Sequence, residues 1–163
     1  GVILDLRNDP GGYLDAAVDV AGEWIGKGTV VIERDSEGKE EPFDAAVRAR
    51  LAGLPTVVLV NGGSASGSEI VAGALQDAEL ATLVGEQTFG KGSVQDYEEL
   101  SDGGALKLTI AEWLTPKGRT INETGIAPDE KVEYTKEDLD ADRDPQLKKA
   151  LELIAAGTAR GGR

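Results

Sequence analysis

Short apolar runs alternate with segments of helical periodicity along the first half of the chain. Val2–Leu6 and Thr56–Val60 are dominated by Val, Ile and Leu, a composition typical of strands buried on both faces. Between them, apolar residues from Tyr13 to Ile25 recur at helical spacing, which predicts an amphipathic helix ending at Gly26. The chain is therefore predicted to begin with a strand, a tight turn and a helix, followed by further units of the same kind.

The rest of the chain continues this alternation. Further strands are predicted over Thr29–Glu33, Ala81–Val84, Ser93–Glu98 and Ala105–Leu114. Further helices are predicted over Asp44–Leu51, from about Ser68, and over Leu147–Ile154. Because strands and helices alternate first and strands crowd together after residue 90, the predicted fold class is α/β. It would have a largely parallel core, an antiparallel β extension and a C-terminal helix.

Composition restricts the chemistry open to this chain. The 163 residues are enough for one sizeable core, and they include no His, no Cys and no Met. Ser-His-Asp and Cys-His catalysis, disulfides, and zinc sites built on His or Cys are thereby excluded. We therefore expect no cofactor or metal, and a proton-transfer group drawn from Lys, Asp, Glu and Tyr. Since translation starts with Met and this chain starts with Gly1, we expect a fragment or a processed chain.

The charge balance argues against two classes of partner. The formal net charge is −13 at pH 7. Nucleic acids and anionic membranes bind clusters of Lys and Arg, so we expect neither as a partner. No apolar run approaches the roughly 20 residues that a membrane-spanning helix requires.

Two loops that follow predicted strands carry the candidate chemistry, because ligand sites in α/β sheets lie at the carboxyl ends of strands. The first loop contains Ser64, Ser66 and Ser68 at the start of a predicted helix. Backbone N–H groups at a helix start suit a developing oxyanion, so each of these hydroxyls is a candidate nucleophile. The alternative is a plain Gly-Ser loop.

The second loop, Gly85–Gly92, nearly matches a phosphate-binding loop. That motif requires a hydroxyl after its Lys, where this chain has Gly92, and a helix, where Ser93 onward is predicted to be a strand. A nucleotide site is therefore rejected. Lys91, flanked by glycines, could instead approach another backbone closely with a partly desolvated ammonium group and act as a base for a Ser nucleophile. The alternative is an exposed loop lysine.

Four segments, in order, resemble the carboxyl-terminal processing proteases, or tail-specific proteases, which form the Ser-Lys peptidase family S41. They read LDLRNDPGG from Leu4, VNGGSASGSE from Val60, GEQTFGKGSVQ from Gly85, and TP at Thr115 with GIAPD from Gly125. The resemblance covers roughly residues 1–154. It implies a fold of the ClpP/crotonase-like βα superhelix type.

The resemblance also implies roles for individual residues. Ser66 would be the nucleophile, Lys91 the general base, and Gln95 the residue that orients Lys91. Cleavage would pass through an acyl-enzyme. The backbone amides of Gly67 and of Gly11 or Gly12 would form the oxyanion hole. Three further polar side chains are expected to support the loops by hydrogen bonds: Asp5, Arg7 and Glu69.

Departures from the family pattern set the remaining expectations. We expect a catalytic core over 1–154 that is N-terminally truncated and lacks a PDZ domain, with a flexible tail over 155–163. The sheet edge left open would be covered by a second copy of the chain or by the missing segments. By resemblance, substrates are proteins or peptides with apolar C-terminal tails, cleaved in the bacterial cell envelope. The alternative function is a catalytically silent peptide-binding or scaffold fragment.

Overall fold

Two four-stranded sheets, one parallel and one antiparallel, organise residues 1–161, the part of the chain that the computed structural model describes. In chain order the elements are β1 (Val2–Asp5), α1 (Leu14–Ile25), β2 (Lys27–Asp35), β3 (Glu40–Ala46), β4 (Thr56–Val60), α2 (Gly67–Asp77), β5 (Thr82–Gly85), β6 (Ser93–Glu99), β7 (Ala105–Leu114), β8 (Glu130–Lys131), α3 (Lys136–Asp140) and α4 (Pro145–Ala155). None of the helices in this part of the chain is long and apolar enough to cross a bilayer. The predicted α/β class, with its antiparallel extension and C-terminal helix, is confirmed.

The parallel sheet has the strand order β1-β4-β5-β8 and is buried on both faces at its centre. Every residue of β4 is buried, as its run of Val and Leu predicts. Val58 and Val60 pack with the core that includes α1 and α2 residues, whereas Val57 and Leu59 pack with Ala150 of α4. Successive side chains of a strand point to opposite faces, so the helices cover both sides of the sheet.

The antiparallel sheet has the strand order β3-β2-β7-β6. Its β3 strand corrects one prediction, because residues 44–46 belong to it and the helix predicted over Asp44–Leu51 does not form. Asp44 pairs with Thr29 of β2, and Ala45 is buried at 1% exposure. Phe43 packs edge to face on Trp113 of β7, with ring centroids 5.7 Å apart. Pairing with β2 thus overrides the local helical pattern.

The C-terminal segment returns to the parallel sheet after α4. The Asp144 carboxylate caps this helix by accepting a hydrogen bond of 2.8 Å from Leu147 N. Beyond the helix, where a flexible tail is predicted from residue 155, Thr56 N donates to Arg160 O at 2.8 Å. Arg160 N donates to Thr82 Oγ1 at 3.0 Å. Arg160 therefore has defined partners on β4 and β5, and residues 162–163 of the predicted tail lie outside the described residues.

Arg7 links the carboxyl end of β1 to the start of α4. Its guanidinium donates to Asp5 at 2.7 Å, to Asp144 at 3.0 Å and to Gln146 at 3.1 Å. The hydrogen bonds from Arg7 lower the pKa of the Asp5 carboxyl. The supporting role predicted for Asp5 and Arg7 is confirmed.

Replacing Leu83 by Ala tests the central position of β5 in the core. Leu83 is 0% exposed. Its truncation should lower the free energy of unfolding by about 2–5 kcal/mol, through lost burial and the cavity left behind. Urea unfolding followed by circular dichroism measures the change. Leu151→Ala on α4 is the matched control: Leu151 is 54% exposed, so its truncation should cost less than about 1 kcal/mol. Equal losses in the two variants would contradict this description of the core.

Candidate active site

The loops that follow β1 and β4 are joined by hydrogen bonds along their length. Asn8 N donates to Asn61 Oδ1 at 2.9 Å, and Asn61 Nδ2 donates back to Asn8 Oδ1 at 3.1 Å. Ala65 N donates to Asp9 O at 2.9 Å. Since β1 and β4 pair in parallel, these loops leave the same edge of the sheet. The Pro-Gly-Gly turn therefore lies against the start of α2.

Ser66 occupies a strained turn immediately before α2. Its backbone has φ 54° and ψ −117°, a conformation that residues with a side chain rarely adopt. Such strain costs about 1–3 kcal/mol and persists only where the surroundings hold it in place. A sharp strand-to-helix turn of this kind exposes a serine hydroxyl above the sheet, and Ser66 is half-buried rather than enclosed.

The other two candidate serines have their hydroxyls occupied. Ser64 is 0% exposed, and its Oγ donates to Leu6 O at 2.7 Å while accepting from Asn61 N at 3.0 Å. Ser68 is 3% exposed, and its Oγ donates to Asp9 O at 3.2 Å. Both hydroxyls therefore hold the loops together. Spacing leaves Ser64, Ser66 and Ser68 open as candidate nucleophiles, and these hydrogen bonds favour Ser66.

The glycines predicted to form the oxyanion hole lie together beside Ser66. A Cβ atom on Gly11 would come within 2.5 Å of Gly67 N, and one on Gly67 would lie 3.2 Å from Gly12 N. Gly11 N already donates to Asp9 Oδ1 at 2.9 Å. Of the two glycines of the turn, Gly12 is consequently the better donor to pair with Gly67.

A small apolar cleft of about 210 Å³ opens next to these amides. Gly11, Gly12 and Gly67 are among the residues that line it. Its apolar side chains come from the residue after β1, from α1 and from α2: Leu6, Ala16, Ala17, Val20 and Val71. A cleft of this size and lining suits an apolar side chain of a ligand.

Lys91 lies on the loop after β5, and the glycines on either side of it pack against residues 121–125. A Cβ on Gly92 would overlap Asn122 N, and one on Gly90 would come within 3.1 Å of Gly125 N. The close backbone approach predicted for this loop is therefore confirmed. The Lys91 side chain itself is exposed, so the expectation of a partly desolvated ammonium group is wrong for this conformation.

Glu69 joins the Lys91 loop to the Ser66 turn. This carboxylate is 0% exposed and accepts hydrogen bonds from Ser66 N, Gly90 N and Lys91 N. It also accepts from Thr88 Oγ1 at 2.5 Å. The loop-supporting role predicted for Glu69 is thus confirmed, and it spans both candidate loops.

Gln95 lies four residues after Lys91 on β6, but its amide is directed into the β6–β7 hairpin. Its Nε2 donates to Ser93 Oγ at 3.0 Å and to Thr109 Oγ1 at 2.6 Å. The side chain is exposed. Gln95 and Lys91 therefore lie on one segment of the chain. In this conformation the Gln95 amide is bonded to hydroxyl groups of the hairpin rather than to Lys91.

Thr88 contributes to the support of the candidate site, a role that the sequence did not predict. Its hydroxyl donates to Glu69 and accepts from Ile126 N at 2.6 Å, and Thr88 N donates to Ile126 O at 3.2 Å. The Gly125–Asp129 segment thus supports the Lys91 loop through the hydrogen bonds between Ile126 and Thr88. A Thr between the end of a strand and a Gly-Lys-Gly turn was the signal for this contact in the sequence.

Within residues 1–161 there is no cluster of three or more acidic side chains placed to hold a metal ion.

Comparison with known proteins identifies the family of this chain. Residues 1–132 match Peptidase family S41. A carboxyl-terminal-processing protease of Synechocystis sp. is 47% identical over 162 residues, which are 98% of this chain and 38% of that protein. The carboxy-terminal processing protease CtpA of Bacillus subtilis is 43% identical, over 82% of this chain and 28% of its own length.

A solved structure supports the same assignment. The photosystem II D1 C-terminal processing protease superposes with a TM-score of 0.74 at 40% identity, over 80% of this chain and 34% of that chain. The chain therefore belongs to peptidase family S41, a family of serine peptidases, and is similar to its carboxyl-terminal processing proteases. It spans less than two-fifths of the length of each of these three relatives.

Substitution at Gly11 tests the packing of the Pro-Gly-Gly turn on α2. Gly11 has φ +82°, and a Cβ there would come within 2.5 Å of Ala65 O as well as Gly67 N. Gly11→Ala should lower the free energy of unfolding by at least about 1–3 kcal/mol, because backbone strain is added to a steric clash. Thermal and urea unfolding measure the loss.

The adjacent glycine supplies the control. A Cβ on Gly12 would have nothing within 4 Å, and Gly12 is exposed. Gly12→Ala should therefore change the free energy of unfolding by less than about 0.5 kcal/mol. A Gly11→Ala protein as stable as Gly12→Ala would contradict the close approach of the turn to Gly67.

Proposed function

We propose that this chain is the catalytic core of a serine endopeptidase that cleaves proteins near their C-termini. Ser66 is the nucleophile, Lys91 the general base, and Gly12 and Gly67 supply the oxyanion amides. The observation that carries the proposal is the strained Ser66 turn, which lies beside two glycine amides. The Glu69 carboxylate joins this turn to the backbone of Lys91 by hydrogen bonds. Membership of family S41 supports it.

The first half of the reaction forms an acyl-enzyme. Neutral Lys91 takes the Ser66 proton while Oγ bonds to the scissile carbonyl carbon, whose oxygen becomes an oxyanion held by the Gly12 and Gly67 amides. The C–N bond then breaks. The proton passes from Lys91 to the leaving amine, which departs as the new N-terminus of the C-terminal fragment.

The second half repeats these steps with water. Lys91, again neutral, takes a proton from a water molecule whose oxygen attacks the acyl carbon. The bond to Ser66 Oγ breaks, Lys91 returns the proton to Oγ, and the acid product leaves. Gln95, a neutral side chain that both donates and accepts, would orient the amine without fixing a proton on it.

Lys91 and Gln95 reach their catalytic positions by side-chain rotation. Both side chains are exposed, so turning toward Ser66 sacrifices little packing. A bound substrate would cover the site and remove water from the Lys91 ammonium group, which favours the neutral amine. Gln95 would then exchange its hydrogen bonds to Ser93 and Thr109 for one to Lys91.

Substrates are proteins or peptides with apolar C-terminal tails. The cleft formed by Leu6, Val20 and Val71 begins at the oxyanion amides, where the side chain next to the scissile bond would lie. Similarity to carboxyl-terminal processing proteases supports cleavage near C-termini. The cellular site would be the bacterial cell envelope, and a second copy or further segments of the protein would cover open sheet edges.

Replacing Ser66 or Lys91 by Ala tests the proposal directly. In the full-length protein, each change should lower kcat/KM for an unfolded substrate with an apolar C-terminus by about 10³-fold or more, because nucleophile and base act as one unit. Mass spectrometry of the products measures cleavage. Lys148→Ala, at a side chain 78% exposed on α4, is the control and should leave the rate unchanged. Full activity in either site variant would refute the assignment.

A catalytically silent peptide-binding core is the second candidate. The exposed Lys91 side chain and the pairing of Gln95 with the hairpin hydroxyls favour it. A fluorophosphonate labels only an activated serine, so covalent labelling that requires both Ser66 and Lys91 would support the peptidase. Peptide binding without labelling or cleavage would support the silent core.

A further inference from the structure

Glu69 is a fully buried carboxylate with an unusual set of partners. It is 0% exposed, and among the described residues it forms no salt bridge. Four hydrogen-bond donors face it instead, three from backbone N–H groups and one from a hydroxyl. A buried charge is tolerated only when its oxygens are well satisfied, so this arrangement is costly to change.

The two carboxylate oxygens have different partners. Oε1 accepts from Thr88 Oγ1 at 2.5 Å and from Gly90 N at 2.7 Å. Oε2 accepts from Ser66 N at 3.0 Å and from Lys91 N at 2.8 Å. A single oxygen atom therefore bridges the main chains of the two residues proposed as nucleophile and base.

This bridge restricts how far the two residues can separate. Two N–H groups bonded to one oxygen keep their nitrogen atoms within a few ångströms of each other. The Glu69 side chain rises from the first turn of α2, the helix that begins directly after Ser66, so its base is fixed relative to the Ser66 turn. Gly90 and Gly92 pack on residues 121–125, which limits the Lys91 loop from the opposite side.

We propose that Glu69 is the positioning residue that sets the separation of Ser66 and Lys91. The inference rests on the proposed function, since it assigns a purpose to the bridge only if Ser66 and Lys91 react together. Glu69 moves no proton. It fixes the backbones from which the Ser66 hydroxyl and the Lys91 amine extend, so that rotation of the lysine side chain alone completes the dyad.

The chemistry of the bridge requires a carboxylate. Both of its oxygens are acceptors, and both face two donors. In Glu69→Gln one oxygen becomes an NH₂ group. Turned one way, that group faces Gly90 N; turned the other way, it faces Ser66 N and Lys91 N, and none of these N–H groups can accept a hydrogen bond. The variant keeps the size of the side chain but loses at least one of the four hydrogen bonds that hold Ser66 and the Lys91 loop together.

The test compares two buried carboxylates on α2 in the full-length protein. Glu69→Gln should lower kcat by about 100-fold, the cost of a misplacement of roughly 1 Å at a reacting centre. KM should change less than about threefold, because the apolar cleft contains no part of Glu69. Asp77→Asn is the control: Asp77 is 8% exposed and binds Lys117 N and Arg119, away from the site. It should leave kcat within about twofold of the parent, with rates expressed per folded molecule.

A second pair of variants decides the case if Glu69→Gln does not fold. Thr88→Val removes one donor from Oε1, whereas Thr88→Ser retains it. Thr88→Val should have kcat about fivefold or more below that of Thr88→Ser, in the range expected for one lost hydrogen bond. Equal kcat values in this pair would overturn the proposal.

The outcomes separate this inference from the proposed function. If Ser66→Ala and Lys91→Ala abolish cleavage while folded Glu69→Gln keeps the parent kcat, only the positioning role fails. If cleavage survives in Ser66→Ala or Lys91→Ala, the proposed function fails first. A loss of kcat in Glu69→Gln that Asp77→Asn reproduces would show general destabilisation of α2 and would overturn the positioning role.

Discussion

The parallel pairing of β4 with β1 and with β5 is the interaction on which the candidate site depends. The registers Asp5↔Leu59 and Val60↔Gly85 place the carboxyl ends of all three strands at one edge of the sheet. Loops that lie far apart in the sequence therefore leave the sheet side by side. Because β4 is buried on both faces, a register shift of one residue would exchange the residues of its two covered faces, and the three loops would lose their alignment.

The loops themselves form no strand ladder, so their backbone groups need other partners. Asn8 and Asn61 exchange hydrogen bonds between the first two loops, and the buried Glu69 carboxylate accepts from the second and third. An isolated buried carboxylate and unpaired buried N–H groups are each unfavourable. When the carboxylate accepts hydrogen bonds from these N–H groups, both groups are satisfied and both costs are removed. The same contacts hold Ser66 in a backbone conformation that a free loop would abandon.

Local pattern was enough for β4 and α1, whose buried run and amphipathic spacing match the structure almost residue for residue. It failed for residues 44–46, since their strand exists only through pairing with β2, a non-local partner. Motif resemblance identified Ser66 and Lys91 as candidates, but neither it nor spacing could reveal the exposed state of Lys91. A supporting role for Glu69 was predictable, but its bonds to Gly90 and Lys91 were not, because the Lys91 loop meets this side chain only after folding.

The proposed base lies on the segment that connects the parallel sheet to the antiparallel sheet. Ser66 and its glycine amides rest on the parallel sheet, whereas Lys91 leads directly into β6 at the edge of the antiparallel one. The start of this segment is tied to the serine turn, because Glu69 accepts hydrogen bonds from both Ser66 N and Lys91 N. The β6–β7 hairpin, with many exposed side chains and an edge strand, can be lengthened, charged or exchanged without altering a residue of the serine turn. The far end of the hairpin could thus be varied while the Glu69 contacts that hold Ser66 and Lys91 remain in place.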